Sequence, residues 1–523
     1  MRILLLIFPL LLYSSICHGY RFLALFPYNG HSHFVMFEQL LKGLARKGHQ
    51  IDVVSHFPLK KPYSNYTDIV TLTATVTVKD SLTYEFLKNT LVGINPVSII
   101  AETFGNDLCE FLAHPKIQEL VRNPPKDPPY DAVIMEIFGA QCFAVIPHLL
   151  NVPAIAVSTT VLYPWLHKII AQPYNVAFVP NNCITGIPNS MNFWHRLYNS
   201  VNTLYSNLLF NYLTRKQDEI LRQHFGPDIP SVRELEAKIA LILINSHIAV
   251  NTIQPQTPAA VDVGGLHVID DVTLTLSPTL EKWMNESKDG FIYFTFGSMA
   301  IIETFPPEFL NILYSSLSKI APIRVLIKVS NPDKLPPGLP KNIYTSPWMP
   351  QIKVLKHPNI KGFITHGGLM STQEAIILGV PMIGIPLFAD QFLNIDIYVK
   401  KNIAVKLDLY TMTEKDVDEA LNAILWNPIY SESVRNLSQR FLDRPLNALD
   451  TAIYWSEYVI KYGSDALRSP AMDLYWWQLY LLDVIVFLLL CAIIVVIVIR
   501  FFVRLLLQMI NDKRKSLHTK KTN

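Results

Sequence analysis

The chain has 523 residues, enough for two ordinary domains with a core each. It is 50% hydrophobic and 17% charged with a net charge of only +3, and no basic stripe with interleaved aromatics runs along it, which argues against a nucleic-acid partner. Its five cysteines show no repeated spacing, which excludes a disulfide scaffold or a zinc site.

Met1-Arg2 is followed by an uncharged apolar run from Ile3 to Tyr13 and then by Ser14, Ser15, Cys17 and Gly19. A basic start, an apolar stretch and a small-residue end read as a secretory signal peptide, residues 1–19, cleaved after Gly19. The alternative is a buried first strand or helix, but a better strand starts at once at Arg21. In the lumen that this implies, Cys109, Cys142 and Cys183 leave room for one bridge, and Asn65, Asn285 and Asn436 begin sequons.

Arg21 to Phe26 reads as an apolar strand, Asn29-Gly30 as a turn, and Phe34, Phe37, Leu40, Leu41 and Leu44 recur with helical spacing. Gly48 ends that helix, and Ile51 to Val54 is the next strand. Asp131 to Met135 and Val152 to Val157, with a helix between them after Cys142, continue the rhythm of a parallel sheet covered on both faces. The aromatic, Asn-rich segment from Pro173 to Phe225 breaks it, with helical stretches around Trp194 to Tyr212; it is an insertion over a pocket or simple scaffold. Gln254 to Pro258 and Gly264-Gly265 mark a boundary. Strands then resume at Phe291 to Phe296, Val325 to Val329, Ile343 to Thr345, Gly362 to Thr365 and Met382 to Ile385. The expected fold is α/β, with two tandem doubly wound Rossmann-like domains over 20–270 and 271–460. Ligands sit beyond the carboxyl ends of such strands, so two facing sheets make one cleft for two substrates.

Residues 461–478 form a juxtamembrane segment, and the apolar run 479–503 is long enough to cross a bilayer as a helix. Trp476, Trp477 and Tyr480 precede it as an interfacial belt, and Arg500, Arg504, Lys513, Arg514 and Lys515 assign the tail 504–523 to the cytosol. These flanks argue against the alternative, a buried soluble helix. Lys520-Lys521-Thr522-Asn523 resembles the dilysine retrieval signal of endoplasmic-reticulum membrane proteins, with a generic basic tail as the alternative. The expectation is a single-pass type I protein of that membrane, with its mass in the lumen.

The chemistry concentrates between Phe363 and Gln391. A strand ends at Thr365, the Gly367-Gly368 turn follows, and a helix starts near Ser371 with its first N–H groups open to an anion. Such a helix end contributes about 0.3–2 kcal/mol towards a negative charge, and His366 adds a hydrogen bond, so a diphosphate fits there. This stretch, Phe363-Ile-Thr-His-Gly-Gly-Leu-Met-Ser-Thr-Gln-Glu374 through Pro381 and Pro386 to Asp390-Gln391, resembles the signature of the UDP-glycosyltransferase family at every specified position. The likeness extends to Ser32-His33, to Trp348-Met-Pro-Gln351 and to the C-terminal anchor. Asp443-Arg-Pro445 and Leu449-Asp-Thr-Ala452 are similar to insect-type microsomal members.

The resemblance implies a fold of the GT-B type and a UDP-sugar as co-substrate, with no cofactor and no metal. It implies that Trp348 stacks on uracil, that Gln351 contacts uracil or ribose, and that Glu374 accepts the ribose hydroxyls. Ser298, His366 and the helix start near Ser371 then hold the phosphates, with Thr365 and Gly368 also in the donor site, and Asp390 and Gln391 read the sugar. Taken singly, Trp348 could be core filler, Glu374 a helix-surface charge and Ser298 a turn residue. Met370 stands where vertebrate relatives place an asparagine, a departure that insect-type members often share.

Ser32-His33 opens the first helix, and a neutral imidazole there suits a base that takes a hydroxyl proton. The family spacing selects His33 over His31; a helix cap is the bland alternative. For the partner of the base, Gln141 stands where insect-type relatives commonly carry Asp. Glu136 is the nearest carboxylate and serves the base or caps its strand. Asp416-Val-Asp418 lies in Thr413-Glu-Lys-Asp416, a capping box and not a metal site. The implied activity is inverting transfer of a hexose, most of all glucose, to a small lipophilic hydroxyl, giving a β-glycoside for detoxification or metabolite conjugation. A UDP-sugar-binding protein without turnover and a transferase for lipid-linked intermediates are the alternatives. Acceptor choice falls to Tyr63–Asn106 and Pro173–Phe225, and homo-oligomer formation stays open.

Overall fold

The computed structural model describes residues 19–73, 81–91, 95–184, 187, 190–269 and 274–519. Residues 1–18 of the expected signal peptide and the terminal Lys520-Lys521 lie outside the described residues. The chain forms two compact units, 1–468 and 469–523.

The first unit holds two sheets. Strands β1 (Arg21–Phe26), β2 (Gln50–Ser55), β3 (Tyr66–Thr71), β4 (Ala132–Glu136), β5 (Ala154–Ser158), β6 (Ile239–Ile244) and β7 (Ala260–Asp262) pair in the order β3-β2-β1-β4-β5-β6-β7, all parallel. Strands β8 (Phe291–Thr295), β9 (Arg324–Lys328), β10 (Ile343–Ser346), β11 (Ile360–Thr365), β12 (Met382–Gly384) and β13 (Ala404–Lys406) pair in the order β10-β9-β8-β11-β12-β13, again all parallel. Every residue of β4, β5, β6 and β8 is buried, as strands covered on both faces by helices must be. The strand order reverses between β1 and β4 and again between β8 and β11. At such switch points a crevice opens beyond the carboxyl ends of the strands. Sequence reading missed β3, β6, β7 and β13. β7 and β13 are three residues each, too short for a periodic signal, and β7 lies in the turn-rich stretch taken for a boundary.

Helix α1 (His31–Arg46) follows β1 and buries Phe34, Phe37, Leu40, Leu41 and Leu44. Helix α2 (Phe193–Leu213) lies in the expected insertion. Helix α3 (Leu369–Ile377) begins two residues before the expected start near Ser371, because Gly368 is the last extended residue and Leu369 turns into the core. Helix α4 (Gln391–Lys400) follows β12. Helix α5 (Ala448–Tyr462) crosses the expected division at 270: Ala452, Ile453 and Val459 belong to the core of the first sheet, and Leu449 and Ile453 press on Gly43 of α1. Glu457 of α5 also accepts a hydrogen bond from His49 Nε2 at 2.9 Å. The final segment of the second half therefore completes the first.

In the second unit, helix α6 (Leu482–Thr519) contains an apolar span, Leu482–Leu517, long enough to cross a membrane. Sequence reading ended the span at 503. The helix instead starts after Leu481, at φ +54°, and continues through the basic residues, because Leu, Lys and Arg all favour helix.

Cys109 and Cys142 form a disulfide, and Cys183 is free. The closed loop spans 33 residues, for which loop entropy predicts about 3–4 kcal/mol. Replacing both cysteines by alanine is expected to lower the thermal midpoint of the purified chain by several degrees in a denaturation scan. Asn65, Asn285 and Asn436 are all exposed, as glycan acceptors must be.

Candidate active site

The first turn of α1, the helix that follows β1, carries His33, and the last residue of β4 is Glu136. Because β1 and β4 are neighbours, these residues meet although 103 positions separate them. His33 Nδ1 lies 2.8 Å from Glu136 Oε1, a carboxylate buried in the protein. Thr159, just beyond β5, brings its Oγ1 to 2.7 Å from His33 Nδ1 and donates to Glu136 Oε1 at 3.0 Å. A carboxylate can only accept, so Nδ1 carries a proton and, in the neutral ring, the lone pair is on Nε2. The helix is capped by Gly30 without a side-chain bond, so His33 is not a capping residue. Glu136 is likewise not a mere strand end. Gln141 is fully buried, and neither atom of its amide has a hydrogen-bond partner.

Aromatic rings surround the imidazole. Tyr28 and Phe138 meet it edge-on at 4.8 and 5.2 Å, and Phe104 packs on both at 5.0 and 5.7 Å. Tyr163 adds a ring 5.9 Å from Phe138. The wall beside His33 is apolar, suited to a flat lipophilic molecule.

At the other switch point, β8 runs into Gly297 and half-buried Ser298, and β11 ends at buried Thr365, followed by half-buried His366. The His366 ring is wedged between two glycines: a Cβ on Gly297 or Gly368 would come within 2.9 or 2.6 Å of it. Burial holds His366 down at about 4, so the ring is neutral, and its Nδ1 has no partner. Gly368 also caps α3 without a side chain, which leaves the first N–H groups of that helix approachable, with half-buried Ser371 in the first turn. Gly368→Ala is expected to displace His366 and, if this end holds the donor that the family resemblance implies, to raise its KM about tenfold or more, with a smaller change in kcat, read from initial rates over a donor series.

Trp348, beyond β10, is 55% exposed, which rules out core filler. Glu374 on α3 is buried, which rules out a surface charge; burial pushes its carboxyl up to about 7, against a 2.7 Å hydrogen bond from Gln351 Nε2. Asp390 accepts from Asn394 Nδ2 at 2.9 Å. Burial raises its carboxyl, and the Asn394 hydrogen bond and, less strongly, His33 pull the other way. Gln391 Oε1 accepts from the N–H groups of Leu387 and Phe388 at 2.8 and 3.1 Å. Met370 Sδ receives Asn245 Nδ2 from the first half at 3.3 Å. Asp416 closes the expected capping box and Asp418 pairs with Lys319, so neither is a ligand in waiting.

Sequence reading did not find Thr159, His267 or the aromatic wall. Thr159 stands at the carboxyl end of a parallel strand, a signal that was legible. His267 had none: it is fully buried, donates from Nε2 to Met370 O at 3.2 Å, and lies 3.6 Å from Glu374 Oε1. Burial holds it down at about 4.

A profile of the family described as "UDP-glucoronosyl and UDP-glucosyl transferase" matches residues 23–516. UDP-glucosyltransferase 2 of Dactylopius coccus is 34% identical over 489 residues, covering 93% of this chain and 92% of its own length. UDP-glucuronosyltransferase 2A3 of Homo sapiens is 28% identical, covering 87% and 88%. Among solved structures, Phytolacca americana UGT2 complexed with UDP-2fluoro-glucose and pterostilbene superposes with a TM-score of 0.57 at 17% identity, covering 84% of this chain and all of its own. Medicago truncatula UGT71G1 complexed with UDP-glucose gives 0.56 at 16% identity, covering 86% and 100%. These two likenesses concern the fold, two doubly wound sheets facing a cleft.

Proposed function

The chain belongs to the UDP-glucuronosyl and UDP-glucosyl transferase family, and we propose that it transfers glucose with inversion to the hydroxyl of a small lipophilic acceptor. As a member it is a UDP-glycosyltransferase, with a UDP-sugar as donor. The observation that carries the finer reading is the bond between His33 Nδ1 and buried Glu136, which leaves a basic Nε2 at the first switch point.

In this reading Nε2 takes the acceptor's hydroxyl proton while Glu136 holds the ring and stabilises the imidazolium that forms. The acceptor oxygen attacks the anomeric carbon from the face opposite the diphosphate. The new carbon–oxygen bond forms as the bond to the phosphate oxygen breaks, and UDP leaves with that electron pair. An α-linked donor so yields a β-glycoside, and the proton passes from His33 to solvent. His366, Ser298 and the first N–H groups of α3, with Ser371, hold the departing charge, and Thr365 and Gly368 shape that end. Trp348 stacks on uracil, Glu374 accepts the ribose hydroxyls with Gln351 orienting it, and Asp390 and Gln391 read the sugar. The name of the Dactylopius coccus relative supports glucose. The aromatic wall at His33 supports a lipophilic acceptor, made water-soluble by conjugation.

We read the chain as a type I protein of the endoplasmic reticulum, with residues 20–468 in the lumen after removal of the signal peptide, anchored by α6. The Cys109–Cys142 bridge supports an oxidising compartment. UDP release by the full chain, given UDP-glucose or UDP-glucuronic acid and a panel of phenols and steroids, tests the function. Release with UDP-glucose, and a β-linked product by nuclear magnetic resonance, is expected. Donor binding with no release on any acceptor would leave a binding protein.

A further inference from the structure

Helix α2 is built inside out. Its buried face is largely polar: Asn199, Thr203 and Ser206 point inward with Phe210. Asn199 donates to Val176 O and Val179 O at 2.7 and 2.8 Å and accepts from Asn181 N at 2.8 Å, and Asn181 Nδ2 donates to Ser206 Oγ at 3.2 Å. Its outer face is apolar. Trp194, Leu197, Val201, Leu204, Leu208 and Tyr212 recur every three or four residues and are 45–70% exposed. Phe193, Tyr198 and Tyr205 widen this stripe. A surface helix of a water-bathed protein buries its apolar side; this one is fastened by hydrogen bonds and presents that side outward.

Two further observations select the occupant. No carboxylate occurs from Phe193 to Lys216, while His195 and Arg196 stand near one end and Arg215 and Lys216 at the other. Aromatic and aliphatic residues on one side, with basic residues at the flanks, are what a helix lying in a lipid headgroup region carries. A second copy fits less well: antiparallel two-fold pairing sets Arg196 against Arg215 and Lys216 of the other copy, with no acidic residue in the helix to offset them. A bilayer is also at hand. The same chain carries the apolar span Leu482–Leu517, and the connecting residues 469–481 reach at most about 45 Å fully extended.

We propose that α2 is a membrane-docking helix, whose outer stripe lies in the headgroup region of a phospholipid bilayer while its inner face holds the catalytic unit. The contact is additional to the anchor α6. It reaches the active site through packed rings: Phe210 stacks on Trp165 at 4.3 Å, Trp165 on Tyr163 at 4.9 Å, and Tyr163 lies against the Phe138 ring that meets His33.

The test uses the full chain in nanodiscs of phosphatidylcholine with phosphatidylserine, with Cys183 and Cys491 replaced by alanine. An environment-sensitive fluorophore is attached at Leu204→Cys or, as control, at exposed Lys282→Cys. Spin-labelled lipids are expected to quench the probe at 204 several-fold more than that at 282, with a blue-shifted emission. Trp194→Ser with Val201→Ser is expected to reduce the quenching, with a cooperative thermal unfolding transition at an unchanged midpoint as the sign of an intact fold. Equal quenching at both sites, in a chain that still releases UDP, overturns the proposal. Lipid-independent self-quenching between copies labelled at 204 also overturns it, in favour of a dimer.

Discussion

Replacing His33 by alanine is expected to lower kcat about 10²–10⁴-fold, the range that general base catalysis supplies, with the KM for the UDP-sugar little changed. The imidazole is held by Glu136 and Thr159 at the ends of β4 and β5, and neither of these bonds leads to α3, where the proposed donor groups lie. Glu136→Gln separates orientation from charge. An amide oxygen still accepts from Nδ1–H and keeps the tautomer, but the growing imidazolium loses its counter-charge, so a loss of about 10- to 100-fold is expected. Glu136→Ala frees the ring as well and is expected to approach His33→Ala. Gln141→Asp should add nothing to turnover, because Glu136 already occupies the position on the imidazole that an aspartate at 141 was expected to fill. Initial rates with donor and acceptor varied separately check all four; a kcat for His33→Ala within threefold of the unaltered chain would sink the assignment.

The second large effect belongs to Glu374. If the carboxylate accepts both ribose hydroxyls, Glu374→Gln removes charge-assisted hydrogen bonds of about 1.5–3 kcal/mol, and the KM for UDP-sugar rises about 10- to 100-fold. Its pH dependence has a definite sign. Burial pushes the carboxyl from 4.5 up to about 7, so in the free chain it is protonated below that pH. Donor affinity should therefore climb as pH rises through about 7, and the glutamine variant should lack this rise. Stability runs the other way. The folded chain holds the proton more tightly than the unfolded one, so this contribution is complete below pH 4.5 and is lost as pH rises through about 7, about 3 kcal/mol in all. Calorimetric titration of UDP at several pH values, beside denaturation of the unliganded chain, reads both. A flat affinity profile would mean that Glu374 is not the ribose carboxylate.

His267 deepens this part of the site. It comes from the connection between the two sheets, yet its ring lies fully buried, 3.6 Å from the Glu374 carboxyl, with Nε2 donating to Met370 O. Neither group offsets the other's burial by charge: one is held down at about 4 and the other pushed up to about 7. In the proposed reading a bound ribose, with hydroxyl donors for Glu374, is the neutral partner that such a pair can accept without a counter-ion.

What the sequence determined by itself was local. The Phe363–Gln391 stretch could be read as strand, glycine turn and helix start because each piece is set by neighbours within a few residues. Apolar period and turn residues located α1, β8 and the apolar span of α6 in the same way. Three features required the tertiary structure. Glu136 reaches His33 from 103 residues away only because β4 lies beside β1, and no periodicity announces which strands will be neighbours. Helix α5, written after the second sheet, closes the core of the first, because its Ala452–Ile453–Val459 face finds its apolar partner there. The sequence placed helical stretches around Trp194 to Tyr212 without orienting them, since helical spacing records that one side differs from the other and not which side meets the protein. The hydrogen bonds of Asn199 and Ser206, which need a wall of backbone and amide groups from residues 176–181, decided that its polar side points in.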